Sequence, residues 1–155
     1  MYSNELVLKL LNYIDNNINK KITMDELSKV FYFNKDYLMR TFKKELNITI
    51  MEYINKKRIY ASLENIKKET NSIIKVALNN GFYSQEYFTE TFTKIIGVSP
   101  LVYRKFTKVN TQITEEEYNC IRKNLSHLNS ILKNIEIYKK NIPTEEVKKL
   151  SLFKQ

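Results

Sequence analysis

The 155-residue sequence contains very few residues that favour tight turns: it has two glycines and two prolines. Strands that pair in a sheet are joined by turns, and turns depend on glycine, proline or residues that replace them. Apolar residues still make up 43% of the chain, which is enough for one core or for two small ones. The composition therefore predicts an all-α fold of helices joined by short loops.

Cysteine and histidine, which bind zinc and act in nucleophilic catalysis, are also scarce. Cys120 is the only cysteine and His127 the only histidine, so the chain can form no internal disulfide and offers no second ligand of either kind for zinc. The two residues would lie about 10 Å apart along a helix, too far for a Cys–His catalytic pair. The sequence also has no glycine-rich loop to bind a phosphate. We expect a reducing compartment, no metal, no cofactor and no enzymatic activity.

Long apolar runs are also missing, and no segment approaches the length that a membrane-spanning helix needs. The N-terminus, MYSNELVLKLLNYIDNN, has no basic leader followed by an apolar core and a cleavage site. We therefore expect a cytoplasmic protein without a membrane partner. The net charge of +9 is compatible with a polyanion as partner, but it is also typical of a lysine-rich surface that only keeps a protein in solution.

An internal repeat is the most informative feature of the sequence. The segment NKDYLMRTFKKELNIT, residues 34–49, aligns without a gap with SQEYFTETFTKIIGVS, residues 84–99. Each segment follows a shorter helical pattern, so each copy has the outline of a helix-turn-helix: a short helix, a tight turn and a second helix. The alternative is an ordinary helical bundle in which the similarity is coincidental.

Residues that begin and end helices repeat together with the apolar pattern. The expected N-caps are Thr23, Asn34 and Ser84. Asn47 and Gly97 stand where the second helix of each copy ends, and both residue types tolerate a positive φ. Phe31 aligns with Gly81 at the same spacing of fifty, so the first turn is expected to form without glycine.

The inward and outward faces of the two second helices behave differently. With Leu38 at the centre of the buried side, the residues that face outward are Asp36, Met39, Arg40 and Lys43 in the first copy, and Glu86, Thr89, Glu90 and Thr93 in the second. The inward positions match between the copies and the outward ones do not. A helix with outward Arg and Lys fits the major groove of DNA, while a solvated charged face is the alternative. For the acidic second copy the pattern alone leaves both open.

The C-terminal part of the chain, residues 107–155, is predicted to be a helical extension. Thr114 and Glu117 form a capping box at its start, and Pro143 with Thr144 begins a last short helix. Between them, apolar residues recur in steps of three and four, as in a coiled coil: Tyr118, Ile121, Leu125, Leu128, Leu132 and Ile135. Three interpretations are open: a homodimer through residues 114–139, packing against the rest of the chain, or binding of a helix from another protein, for example RNA polymerase.

Several motifs resemble the DNA-binding region of the AraC/XylS family of bacterial transcription regulators, over about residues 4–106. They are ITMDELSKV, NKDYLMRTFKKEL, YINKKR, IIKVALNNGF, SQEYFTETFTKIIGVSP and YRK. The resemblance implies two helix-turn-helix subdomains bridged by a long helix, residues 50–66, within a DNA-binding domain of residues 1–106. It also implies recognition helices at 35–45 and 85–95, placed in successive major grooves of double-stranded DNA.

The family pattern implies which side chains face the bases. Carried over by position, they are Lys35, Asp36, Met39, Arg40, Lys43, Gln85, Glu86, Thr89, Glu90 and Thr93. Glu90 departs from the pattern, because family members often carry a basic residue where it stands; a glutamate can accept a hydrogen bond from cytosine, but it also repels phosphate. The expected function is that of a sequence-specific transcription regulator. The alternative is a helical protein-interaction module that acts mainly through its C-terminal helix and binds DNA weakly or non-specifically.

Overall fold

The structure is a computed structural model, and it describes residues 2–109 and 111–142. Within these ranges the chain forms eight α-helices and no strand, so the all-α prediction is confirmed. The helices are α1 (Ser3–Asn16), α2 (Met24–Phe31), α3 (Lys35–Leu46), α4 (Ile50–Ile66), α5 (Ile73–Asn79), α6 (Gln85–Ile96), α7 (Pro100–Phe106) and α8 (Glu115–Lys140). The short helix predicted at Pro143 and Thr144 lies outside the described residues. No helix in the described ranges is both long enough and apolar enough to cross a membrane.

The chain divides into two compact units, each with one helix-turn-helix. Among the described residues, the first unit comprises 2–18, 22–54 and 133–142, and the second comprises 19–21, 55–109 and 111–132. The pair α2–α3 belongs to the first unit and α5–α6 to the second. Two helices contribute to both units: α4, whose first five residues lie in the first unit, and α8, whose residues from 133 onward also lie in the first unit.

The core of the first unit is built from apolar residues at helical spacing. In α1 the predicted stripe is fully buried, and it consists of Leu6, Val7, Leu10, Leu11 and Ile14. Leu38 and Phe42 of α3 are buried as well, and the Phe42 ring lies 6.0 Å from that of the buried Tyr53. The Tyr53 hydroxyl donates a hydrogen bond to Asp15 at 2.6 Å. Because α3 buries only its Leu38–Phe42 face, its opposite face is left to solvent.

The core of the second unit is rich in phenylalanine. Phe82, Phe88 and Phe92 are fully buried, and consecutive rings lie 5.1 and 5.7 Å apart in edge-to-face or tilted contacts. The same core includes Ile121 and Leu128 of α8, both fully buried. The N-terminal half of α8 is therefore part of this core.

The capping box predicted at the start of α8 is confirmed. The Thr114 amide donates to Glu117 Oε1 at 2.9 Å, and the Glu117 amide donates to Thr114 Oγ1 at 3.0 Å. Most of the apolar positions that follow are occupied within the chain: Ile121, Leu128 and Ile135 are buried, and Leu125 and Leu132 pack on the second core. Tyr118, the first of them, is half-exposed, with its ring 5.6 Å from that of Phe106. Of the three interpretations of this seam, packing against the rest of the chain is the one that the contacts support.

Candidate nucleic-acid interface

The two recognition helices begin with the same cap. Asn34 Oδ1 accepts a hydrogen bond from the Tyr37 amide at 2.8 Å, and Ser84 Oγ accepts one from the Tyr87 amide at 3.1 Å. Each cap satisfies one of the amides that a helix leaves unpaired in its first turn. Thr23 caps α2 in the same way, through the Glu26 amide at 3.1 Å. All three N-caps predicted from the sequence are confirmed.

The turns that precede the two recognition helices differ in the number of residues between the left-handed residue and the N-cap. In the first unit the left-handed residue is Tyr32, with φ 58°, and in the second it is Gly81, with φ 85°. The prediction that the first turn forms without glycine is confirmed, but Phe31 was wrong as the counterpart of Gly81, because Phe31 is the last residue of α2. Residues 34–49 and 84–99 share a spacing of fifty, whereas Tyr32 and Gly81 are forty-nine apart. The second turn therefore contains one additional residue between the left-handed residue and the N-cap.

The recognition helices also end alike. Asn47 and Gly97 both adopt the left-handed conformation, with φ 61° and 93°, as their residue types predict. At the first of these ends, the Lys43 side chain reaches along its own helix and donates to the Asn47 carbonyl at 3.0 Å. The basic side chain also lies favourably at the negative end of the helix dipole.

The five candidate residues of α3 are all exposed, and two of the three cations among them have partners. Lys35 forms an ion pair with Asp25 of α2, and Lys43 caps the end of its own helix. Arg40 donates through Nε to the Asp36 carbonyl at 3.3 Å, and it has no carboxylate partner among the described residues. The planar end of its guanidinium group is therefore free to form a two-point hydrogen bond with a ligand.

The candidate residues of α6 form a face of opposite charge. Four of them are exposed and Thr89 is half-buried; the exposed ones are Gln85, Glu86, Glu90 and Thr93. The inward residues Phe88, Thr91 and Phe92 are buried. The Thr91 hydroxyl donates to the Tyr87 carbonyl at 2.7 Å, so this polar side chain is satisfied within the helix. The two units therefore share an inward face, while one outward face is basic and the other acidic.

An aromatic pair, which was not predicted from the sequence, supports the start of each recognition helix. Phe33 stacks on Tyr37 with ring centroids 5.0 Å apart, and Tyr83 stacks on Tyr87 at 6.3 Å. In both units the residue before the N-cap packs on the residue four positions further along the chain. Because Phe33 and Tyr83 align at the spacing of fifty, the repeat itself carried the signal for this contact.

Two buried or half-buried arginines fasten the backbone of the second unit. Arg104 donates to the Ile66 carbonyl at 2.7 Å and to the Asn71 carbonyl at 2.6 Å, and it thereby closes the connection between α4 and α5. Arg58 donates to the Lys20 carbonyl at 2.6 Å and lies over the Phe82 ring, 5.9 Å from its centroid. Burial lowers the pKa of Arg58. We assign both arginines to the framework of the interface.

Comparison with known proteins gives relatives that are named as transcription regulators. The uncharacterized HTH-type transcriptional regulator YbfP of Bacillus subtilis is 33% identical over 118 residues, which cover 76% of this chain and 40% of that protein. The bifunctional transcriptional activator/DNA repair enzyme AdaA of the same species is 31% identical over 119 residues, 77% of this chain and 54% of that protein. The chain thus spans about two fifths to one half of the length of these two relatives.

Similar solved structures include a domain of a response regulator and a protein of unknown function. The C-terminal domain of AraT, a response regulator from Geobacillus stearothermophilus, is 25% identical with a TM-score of 0.63, over 71% of this chain and 92% of that one. A protein of unknown function from Listeria innocua is 26% identical with a TM-score of 0.60, over 63% and 93%. Residues 27–105, half of the chain, match the family described as the helix-turn-helix domain. The protein belongs to the AraC-type family of helix-turn-helix DNA-binding regulators.

Proposed function

We propose that the protein is a sequence-specific transcription regulator that places α3 and α6 in successive major grooves of double-stranded DNA. The observation that supports this most is the contrast between the faces of the two helices. Their buried sides, caps and left-handed ends match, whereas their exposed sides differ in charge and chemistry. Packing explains why the buried sides are alike; two different base sequences would explain why the exposed sides are not.

In this proposal residues 1–106 form the DNA-binding part and residues 107–155 a C-terminal extension, whose helix α8 contributes to the second core. The base-facing residues are the ten identified from the sequence: Lys35, Asp36, Met39, Arg40, Lys43, Gln85, Glu86, Thr89, Glu90 and Thr93. Among them Arg40 is the best placed to read a base, because its guanidinium group has no carboxylate partner in the described part of the chain. A guanidinium group that donates twice to guanine O6 and N7 is the commonest specific contact in the major groove.

The second helix would contribute mostly uncharged donors and acceptors. Gln85 can pair with adenine through two hydrogen bonds, and Thr93 can contact a thymine methyl group. Glu90 can accept from cytosine N4, at the cost of repulsion from the phosphates that line the groove. We therefore expect α3 to supply more of the salt-dependent affinity and α6 to supply selectivity.

Selection of binding sites from a random duplex library tests this proposal. The protein should enrich an asymmetric duplex with two groups of preferred base pairs about one helical turn apart. Arg40→Ala and Lys44→Ala then form a matched pair, since each removes one positive charge from an exposed position of α3. Both should reduce the salt dependence of binding by a similar amount, but only Arg40→Ala should relax the preference at one base pair, by ~1–3 kcal/mol.

Two results of these experiments would contradict the proposal. The first is a selection that enriches no sequence; this would favour the alternative of a protein-interaction module with weak DNA binding. The second is an Arg40→Ala variant that keeps the full preference of the parent. For the alternative to hold, α8 would need a free apolar face, whereas Ile121 and Leu128 are buried in the second core.

Other partners remain predictions. A homodimer through residues 114–139 would have to use the seam that now packs within the chain, so sedimentation at high concentration should show a monomer. Contact with RNA polymerase, a place of action in the cytoplasm and the absence of catalysis are likewise predictions from the sequence. One relative, AdaA, is named as both an activator and a repair enzyme, and that second description is said of AdaA alone.

A further inference from the structure

Side chains of α8 contact the C-terminal end of the second recognition helix. Gly97, the left-handed residue that ends α6, lies against Cys120 and Asn124. A Cβ atom built on Gly97 would be 2.4 Å from Cys120 Sγ and 2.5 Å from Asn124 Nδ2, both far inside van der Waals contact. Glycine suits this position because of its backbone conformation, and an added methyl group would also have to displace the ends of the Cys120 and Asn124 side chains.

Asn124 completes this contact with a hydrogen bond. Its Nδ2 donates to the carbonyl of Ile96, the last residue of α6, at 3.0 Å. The last carbonyls of a helix have no partner within the helix, so this amide satisfies a group that would otherwise depend on water. On either side of Asn124, Ile121 and Leu128 are buried in the core that contains Ile96. One polar and two apolar side chains of α8 thus hold the end of α6.

At the C-terminal end of the first recognition helix, the contact comes from the same helix. Asn47 is exposed, as Gly97 is, and the side chain that reaches its carbonyl is Lys43 of α3. The two segments otherwise share caps, buried residues and left-handed ends. The support from α8 is therefore specific to the second helix, and α8 lies beyond residues 27–105, the part that matches the family.

The negative charge on the exposed face of α6 explains why this support would matter for DNA binding. Phosphate attraction helps to seat a basic helix such as α3 in the groove, but the exposed Glu86 and Glu90 oppose it in α6. A helix without that attraction reads bases well only if its position is already fixed, because contacts in a binding site require placement to within about 0.5 Å. Contacts from α8 at the C-terminal end of α6 can supply this placement without adding charge to the exposed face of the helix.

We propose that Asn124 is a positioning residue for DNA recognition: through Ile96 and Gly97 it fixes α6, so that the C-terminal extension sets the selectivity of the second half of the binding site. This inference rests on the proposed function and extends it, since it assigns to α8 an effect on base preference. It makes the effect local. Loss of the Asn124 hydrogen bond changes the base preference in the half of the site that α6 reads, and it leaves the preference in the half read by α3 unchanged.

The first test compares Asn124→Ala with Asn119→Ala, an exposed asparagine of the same helix. The duplex obtained by selection is altered one base pair at a time in each half, and binding is measured by fluorescence anisotropy. We expect Asn124→Ala to bind the selected duplex about 3- to 10-fold more weakly, as the loss of one hydrogen bond implies. The penalties for altered base pairs should shrink in the second half only, and Asn119→Ala should match the parent.

A second pair of variants tests whether the end of each recognition helix affects only its own half of the binding site. Gly97→Ala places a methyl group where Cys120 and Asn124 now lie, and Asn47→Ala changes the left-handed residue that ends α3. We expect Gly97→Ala to reduce the penalties for altered base pairs in the second half of the site, and Asn47→Ala to change those in the first half alone. Circular dichroism verifies that both variants are folded at the temperature of the binding assay.

Cys120 provides a direct report on the contact, because it is the only cysteine of the chain. Its rate of reaction with a thiol reagent such as iodoacetamide should rise several-fold in Asn124→Ala. Coupling between sites is reciprocal, so the selected duplex should slow this reaction in the parent. A duplex with a scrambled second half should slow it much less.

The outcomes separate the inference from the proposed function. A selection that enriches no duplex overturns both. If a duplex is enriched but Asn124→Ala changes the penalties for altered base pairs equally in the two halves, or not at all, only the positioning role is overturned. A Cys120 reaction rate that the selected duplex leaves unchanged also overturns the positioning role.

Discussion

Replacing Leu128 with alanine should destabilise the protein by about 3 kcal/mol. Leu128 is 1% exposed and packs in the second core beside Ile121. Truncating a buried leucine to alanine costs about 2–5 kcal/mol, through lost burial and the cavity that remains. We place the value in the lower half of this range, because a helix at the edge of a core can shift to fill part of the cavity. For a chain of this size it corresponds to a fall in melting temperature of roughly 6–12 °C.

Urea unfolding followed by far-ultraviolet circular dichroism measures this change. Ser130→Ala is the matched control, since Ser130 lies on the exposed face of the same helix and its loss should change stability by less than about 0.5 kcal/mol. The melting temperature of the parent should not depend on protein concentration, as it would if α8 were buried in a dimer. A Leu128→Ala variant as stable as the control, or a parent whose stability rises with concentration, would refute the packing of α8 described above.

Three further predictions follow from single contacts. Tyr32 is 92% exposed and has φ 58°, a conformation that glycine adopts more easily. Tyr32→Gly should therefore stabilise the first unit by about 1 kcal/mol in the same urea assay. A loss of stability would mean that the tyrosine side chain has a stabilising role. If the Glu90 carboxylate only repels phosphate, Glu90→Gln should tighten binding to non-specific duplex. If the carboxylate accepts a hydrogen bond from cytosine, the same change should weaken binding to the selected duplex by ~1–3 kcal/mol. No change in either affinity would contradict the placement of α6 in the groove. Burial and the hydrogen bond to Asp15 raise the pKa of Tyr53 above its ordinary value of 10.0. The folded state therefore keeps a proton that the unfolded chain loses above about pH 10, and stability should fall as the pH rises beyond that point. Burial lowers the pKa of Lys139, but its bonds to Asp15 and Glu136 outweigh this and raise it, so its effect has the same sign. Tyr53→Phe should reduce the alkaline loss, and an equal loss in parent and variant would contradict the assignment.

Local signals predicted the helix ends well. An N-cap and a left-handed end depend on one residue and its immediate neighbours, so Asn34, Ser84, Asn47 and Gly97 could be assigned from their types and positions. The register of the first turn could not. The alignment at a spacing of fifty holds within the recognition helices, but a turn can gain a residue without disturbing either helix, and the second turn has done so. Phe31 was therefore matched with Gly81 where Tyr32 belonged.

The role of α8 was beyond local signals for a different reason. Apolar steps of three and four suit a coiled coil and also suit a helix laid on a globular core, and the difference lies in what faces Ile121 and Leu128. Asn124 gave no signal at all, since an asparagine in a polar helix is ordinary. Its partner, the carbonyl of Ile96, comes within reach only when the chain has folded.

The central claim is that α3 and α6 each enter a major groove, and methylation interference on the selected duplex tests it most directly. Methyl groups on guanine N7 lie in the major groove, so they block only those contacts that a helix makes there. We predict two separate clusters of interfering guanines, about one helical turn apart on one side of the duplex. The cluster read by α3 should lose one guanine in Arg40→Ala. A single cluster, or interference spread evenly along the duplex, would contradict the account.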